Sequence, residues 1–361
     1  MLIPPFSIPA KEKMSDHRYP SSNGYTMNYH AYITVSSEDR ILKFRMDPDT
    51  GDLDFEYSIP AEGGPGPLAV DPGRGYLYLS RRGAREISAY SLDAGTGGVT
   101  LLGSVSVDAD ACYLSVDRKG RFLLSASYGG GMAYVHAIRQ DGTLSESPVD
   151  STITLPKAHF ILTDPSNRLA FLPHVGESNT IIGFRFDEDA GTLREVSRTS
   201  HEPDVGPRHL AFHPELDVVY ASNEQGSSVT AYSLDASSGV LEPVQTLSTL
   251  PEGFGGENTC AQIHIHPSGS FLYVSNRGHD SIACFAVDGT GRLTGIGIQR
   301  TEPVPRAFGI DPTGNFLYAG GQESGRLASY RIDEHSGRLC PLRTYTVGKP
   351  SMWVLILALR A

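Results

Sequence analysis

VGPRHLAFHP (205–214), followed by DVVYASNE (217–224) and VTAYSLD (229–235), is the stretch on which the fold turns. It reads as a short apolar strand closing on His213 before a proline, then a tight turn, a second strand with a polar end, and a third strand running into another turn. The same order returns along the whole chain. Its anchors are Asp71, Asp117, Asp164, His213, His266 and Asp311, spaced 45 to 53 residues apart. Self-similarity at such a period marks a repeat architecture.

Each repeat holds four short strand-like segments and no long run of helical periodicity. GYLYLSRR (75–82), RFLLSASY (121–128), RLAFLPHV (168–175), SFLYVSNR (270–277) and NFLYAGGQ (315–322) are the other second strands. Third strands such as ISAYSLD (87–93) and IACFAVD (282–288) run into Gly-bearing turns, where Gly supplies the positive φ a hairpin needs. Four such strands per repeat are the signature of a β-propeller blade. At the N-terminal side, HAYITVSS (30–37) and ILKFRMD (41–47) match second and third strands with no first strand before them, whereas KPSMWVLIL (349–357) matches a first strand with nothing after it. The expected fold is therefore all-β: a seven-bladed β-propeller of four-stranded antiparallel blades, with the ring closed by the C-terminal strand joining the first blade so that no edge is left open. Pro65, Pro207, Pro305 and, in the closing strand, Pro350 take equivalent places, and a proline at a strand's first position loses no ladder hydrogen bond. Residues 1–28, rich in Pro and Ser, are read as an N-terminal arm, and 29–361 as a single propeller domain.

Composition narrows the function. A net charge of −11 over 361 residues argues against a surface that tracks nucleic-acid phosphates or anionic lipid, so neither nucleic acid nor membrane is an expected partner. No apolar run approaches a bilayer span, and MLIPPFSIPAKEKM lacks a basic segment followed by an apolar one, so a cytoplasmic location is expected. Cys112, Cys260, Cys284 and Cys340 show neither CxxC pairing nor metal-ligand spacing and are read as reduced, buried thiols. No metal or cofactor is expected. GGG (129–131) is a turn, because no helix follows it to cradle a phosphate.

In an antiparallel blade the start of the inner strand and the end of the second strand share a face. At the inner-strand starts stand Gly66, Cys112, His159, Arg208, Ala261, Arg306 and Ser351; at the second-strand ends stand Ser37, Arg81, Tyr128, His174, Glu224, Arg277 and Gln322. A repeat serving the fold alone would carry similar residues at these places. His159, Arg208, Glu224, Arg277 and Arg306 break that uniformity in blades four to seven, and a base, a carboxylate and several guanidinium groups on one face suit an anionic substrate. The competing reading is a set of exposed rim charges. His159 and Glu224 are the catalytic candidates, either of them as base; Arg208, Arg277, Arg306, His209, His174 and Gln322 are the substrate-binding candidates. His209 ranks behind His159 because strand alternation turns it away from Arg208. His264 is read as a hydrogen-bonded core residue, His213 and His266 as turn formers, and Trp353 as core packing of the closing strand.

From 29 to 357 the chain resembles the seven-bladed propeller lactonases, a family that includes propeller-type 6-phosphogluconolactonases and carboxymuconate-lactonizing enzymes. The resemblance rests on GPRHLAFHP (206–214), SNEQGSSVTAYSL (222–234), AQIHIHPSGSFLYVSNR (261–277), PRAFGIDPTGNFLYAGGQ (305–322) and VGKPSMWV (347–354). It implies that His159, Arg208, Glu224 and Arg277 form the active site, and that water attacks the carbonyl of a small anionic lactone. Blade four departs from the bacterial phosphogluconolactonase pattern in KAHFILTDP and in PHVGESN (173–179). Two other readings stay open: a muconate-type cycloisomerase that forms a lactone, and a non-catalytic ligand-binding propeller. The oligomeric state is not legible.

Overall fold

The computed structural model describes residues 27–360. They form seven four-stranded antiparallel sheets, each a blade. Blade one pairs Ser351–Arg360 with Met27–Val35, then Arg40–Met46, then Leu53–Pro60, so the C-terminal strand closes the ring as expected. Met27 and Asn28, assigned above to the arm, already lie in the first strand; the rest of the expected arm lies outside the described residues. The helical pieces among the described residues are two single 3-10 turns, Ser36–Glu38 and Gly176–Ser178. No helix there is long and apolar enough to cross a membrane.

The repeat anchors act through hydrogen bonds. The carboxylates of Asp71, Asp117, Asp164 and Asp311 accept from the backbone N–H of Tyr76, Phe122, Leu169 and Phe316, the residues that open the second strands. In the two blades with histidine anchors, His213 Nδ1 accepts from Leu216 N and His266 Nδ1 from Ser268 N. The turn role expected of both is thus met by a ring nitrogen that replaces a carboxylate oxygen.

Hydrophobic burial lies between blades. Ala31, Ile33 and Phe44 of blade one pack with Phe316, Tyr318 and Leu327 of blade seven, and equivalent clusters fill the other blade junctions. A tyrosine in the second strand also clasps the next blade: Tyr78 donates to Gly142 O, Tyr220 to Gly291 O and Tyr273 to Gly337 O at 2.8–3.1 Å. Tyr318 of blade seven donates to Gly51 O of blade one at 2.8 Å, which carries the same clasp across the closure.

Two expectations are corrected. In blade four the regular inner strand is only Leu162–Thr163, preceded by an isolated bridge between Ala158 and His174, with the ladder interrupted from His159 to Ile161. Cys112, Cys260 and Cys284 are buried, but Cys340 is exposed, since it sits on the solvent side of the outer strand of blade seven.

Candidate active site

One irregularity recurs in the inner strands and builds the site. Their pairing with the second strands slips by one residue between Pro65 and Leu68, Ala111 and Tyr113, Pro207 and His209, Cys260 and Ile263, and Pro305 and Ala307. In the closing strand the slip skips Met352. A bulge leaves its extra residue out of the ladder and re-aims the side chain. From these breaks in register Pro67, Cys112, Arg208, Gln262, Arg306 and Met352 line one cavity on the propeller axis, together with Arg82, His159, His209 and Trp353. The cavity offers ≈ 10 Å³ to the centre of a water molecule, room for about one.

Arg208 is 1% exposed, and its Nε lies 2.6 Å from Glu224 Oε2. Arg277 approaches the same oxygen at 3.3 Å and donates from Nη2 to Cys260 O at 2.9 Å. On the other side, Arg82 Nε donates to Asp110 Oδ2 at 3.0 Å. The contact from Arg208 Nε is an ion pair without the angles of a hydrogen bond, and Arg208 Nη1, His159 Nδ1 and His209 Nε2 are buried without a hydrogen-bond partner. Buried polar groups left unsatisfied are costly, and three of them around one cavity are groups that a water or ligand there can satisfy.

The electrostatics follow from this crowding. Burial, with Arg208 and Arg306 beside it, pushes His159 well below the ordinary imidazole value, so the ring is neutral at neutral pH. Burial does the same to His209, with Arg208 and then His159 contributing. Burial and the Arg277 charge bring Arg306 down to about 10, still a cation at neutral pH. Burial raises the Cys112 thiol to about 11, which leaves it unreactive.

A family profile described as "Lactonase, 7-bladed beta-propeller" matches residues 28–356. The chain belongs to this family of propeller lactonases. It is 38% identical over 315 residues to the 6-phosphogluconolactonase of Pectobacterium atrosepticum, covering 86% of this chain and 93% of that one. It is 33% identical over 331 residues to the 6-phosphogluconolactonase of Yersinia pestis, covering 91% and 98%. Among solved structures, a Lactobacillus plantarum protein superposes with a TM-score of 0.84 at 27% identity, covering 92% of this chain and 100% of that one.

Within this lactonase propeller, His159, Arg208, Glu224, Arg277 and Arg306 are brought together, although Glu224 and Arg277 stand behind Arg208 and do not line the cavity themselves. His209 does line it. The bulge at Arg208 restarts the register, so strand alternation does not turn His209 away from the axis. His174 is not part of the site: its ring is buried, with Nδ1 3.3 Å from Thr180 O and Nε2 3.0 Å from Thr154 Oγ1. Gln322 stands one layer out, donating to Met352 Sδ at 3.1 Å. Trp353 lines the cavity as well as packing against the closing-strand core. His264 is half-buried; its Nε2 is 3.3 Å from Gln262 Oε1, and it lines a second, lower chamber of the axial channel.

Arg82, Gln262 and Met352 were missed because each lies one residue beyond the position an unbroken ladder would select. The usable signal for Arg82 was the pair Arg81-Arg82, of which the first is spent on Glu86.

The axial cavity and the residues paired to its lining bring four guanidinium groups, Arg82, Arg208, Arg277 and Arg306, against two carboxylates, Asp110 and Glu224. With the histidines neutral, the site carries an excess of two positive charges.

Proposed function

We propose that this chain hydrolyses a phosphorylated sugar lactone, with 6-phosphogluconolactone the best match, through water activated by His159. The excess of two positive charges carries the reading. A phosphate monoester brings about −1.5 to −2 at neutral pH, which balances the site; an unphosphorylated sugar lactone brings none. The names borne by the relatives from Pectobacterium atrosepticum and Yersinia pestis support the same substrate.

In this scheme the cavity beside His159 holds the attacking water and the lactone docks against it from the mouth. The neutral imidazole accepts a proton as the water oxygen bonds to the carbonyl carbon. Arg208 Nη1, buried and free of other partners, donates to the developing oxyanion. When the intermediate collapses, the ring C–O bond breaks and the imidazolium returns its proton to the leaving alkoxide. The product acid then ionises, so one proton is released per turnover. Arg306 and Arg82 hold the phosphate. Glu224 is assigned as a clamp rather than the base, because its Oε2 already faces Arg208 and Arg277.

A substrate panel tests the assignment. The proposal expects lactone consumption above the spontaneous rate for 6-phosphogluconolactone, and an Arg306→Gln variant whose KM rises for that substrate but not for glucono-lactone. Activity confined to muconate-type acids would make the protein a cycloisomerase instead.

A further inference from the structure

The axial channel has two chambers, and the proposed chemistry uses one. Below the catalytic cavity lies a chamber of ≈ 260 Å³ that opens to solvent at the other end of the channel, with the exposed Arg118 at its mouth. His209, Gln262 and Trp353 line both chambers and are the partition between them. The His209 ring lies 5.3 Å from the His159 ring, centre to centre, close enough for direct transfer or for one bridging water. His159 Nδ1 and His209 Nε2 both lack hydrogen-bond partners. On the lower side, His264 lines the chamber and is linked to the partition through Gln262 Oε1.

Resting on the lactonase reading above, we infer that His209 is a proton relay, carrying the proton released at each turnover from His159 through the partition into the lower chamber. The lactone caps the upper mouth during turnover. Around that mouth Arg82, Arg208, Arg277 and Arg306 outnumber Asp110 and Glu224, and this field opposes departure of a proton upward. The lower chamber is walled by Tyr113, Phe160 and Phe212, with Arg118 as its charged residue, and the guanidinium of Arg118 is turned to the carbonyls of Thr163 and Asp164. Burial and Arg208 depress both His159 and His209, so the same two causes act on donor and acceptor. The step conserves atoms: His159, neutral again once it has protonated the alkoxide, takes the proton of the product acid as that O–H breaks; this N–H then breaks as an N–H forms on His209, and the proton on the opposite nitrogen of His209 goes to water in the lower chamber.

The test is the buffer dependence of turnover in His209→Phe and His209→Gln, the second keeping a polar side chain at the partition. Lactone consumption is followed at neutral pH, with protein-free hydrolysis at each buffer concentration subtracted. The relay predicts that either folded variant, with a thermal midpoint near the parent's, loses ~10-fold or more in kcat at low buffer, as befits a lost proton-transfer group, with KM little changed. It predicts that substituted imidazoles restore kcat in proportion to their basicity while the parent stays insensitive to buffer. A variant that keeps the parent's kcat at low buffer overturns the relay, and so does a loss that no imidazole restores, which would make His209 a packing residue. A parent with no turnover above the spontaneous rate would instead sink the lactonase assignment on which the relay rests.

Discussion

Arg208 Nε and Glu224 Oε2 meet at 2.6 Å in blade five, where Glu224 follows the end of the second strand and the inner strand's register slips at the arginine itself. The slip frees Arg208 from the ladder and aims it at the axis, and the carboxylate makes burial of its charge tolerable. Breaking such a pair by removing one partner leaves an uncompensated buried charge. Glu224→Gln should therefore lower unfolding stability by about 2–4 kcal/mol, somewhat discounted because Glu224 is 16% exposed, and reduce turnover as Arg208 loses its fixed position. Denaturant midpoints at neutral pH, read beside kcat, check both.

His159→Ala should cost ~10²–10⁴ in kcat with a small change in KM, the range for loss of a general base. Because burial and the Arg208 and Arg306 charges depress His159, the acid limb of kcat/KM should fall below the ordinary imidazole value of 6.5. An anion bound among the arginines offsets their charge, so the acid limb of kcat should lie at higher pH than that of kcat/KM. The two pH profiles, measured on the same substrate, decide this.

How far the chain could be read follows from which rules its backbone obeys. Blade number, ring closure and the turn role of His213 and His266 depend on period and turn chemistry, and these are local properties of sequence. His159, Arg208, Glu224, Arg277 and Arg306 stood out because they depart from what the other blades carry at equivalent places. What escaped depends on the bulge. Alternation turned His209 away and passed over Gln262, whereas one skipped residue per inner strand brings both to the axis. His174 holds the same repeat position as Glu224, yet its ring is taken up by Thr154 and Thr180, partners that its own position in the repeat does not announce.

Stability should depend on acid through histidines outside the site. Burial pushes His136 and His174 each down to about 4. The unfolded chain binds protons near 6.5, before the folded one does, so the stability held above 6.5 is lost as the pH falls from there toward 4. Each histidine contributes a slope of up to ~1.4 kcal/mol per pH unit in that window. Thermal midpoints across the range should fall steadily, and His136→Leu should flatten the curve.

Tyr318→Phe should cost about 1–2 kcal/mol, because it removes the hydroxyl that satisfies Gly51 O across the ring closure while leaving the ring's packing in place. Urea midpoints should shift with an unchanged m-value, and activity should persist, since the clasp lies away from the axial cavity.

The central claim is best met by the rate of 6-phosphogluconolactone hydrolysis at neutral pH, measured with the protein, with its His159→Ala variant and with buffer alone. The account predicts that the protein exceeds the spontaneous rate, prefers this lactone to glucono-lactone, and loses nearly all of the excess in the variant. Hydrolysis by the protein no faster than in buffer, or an excess that survives His159→Ala intact, would contradict it.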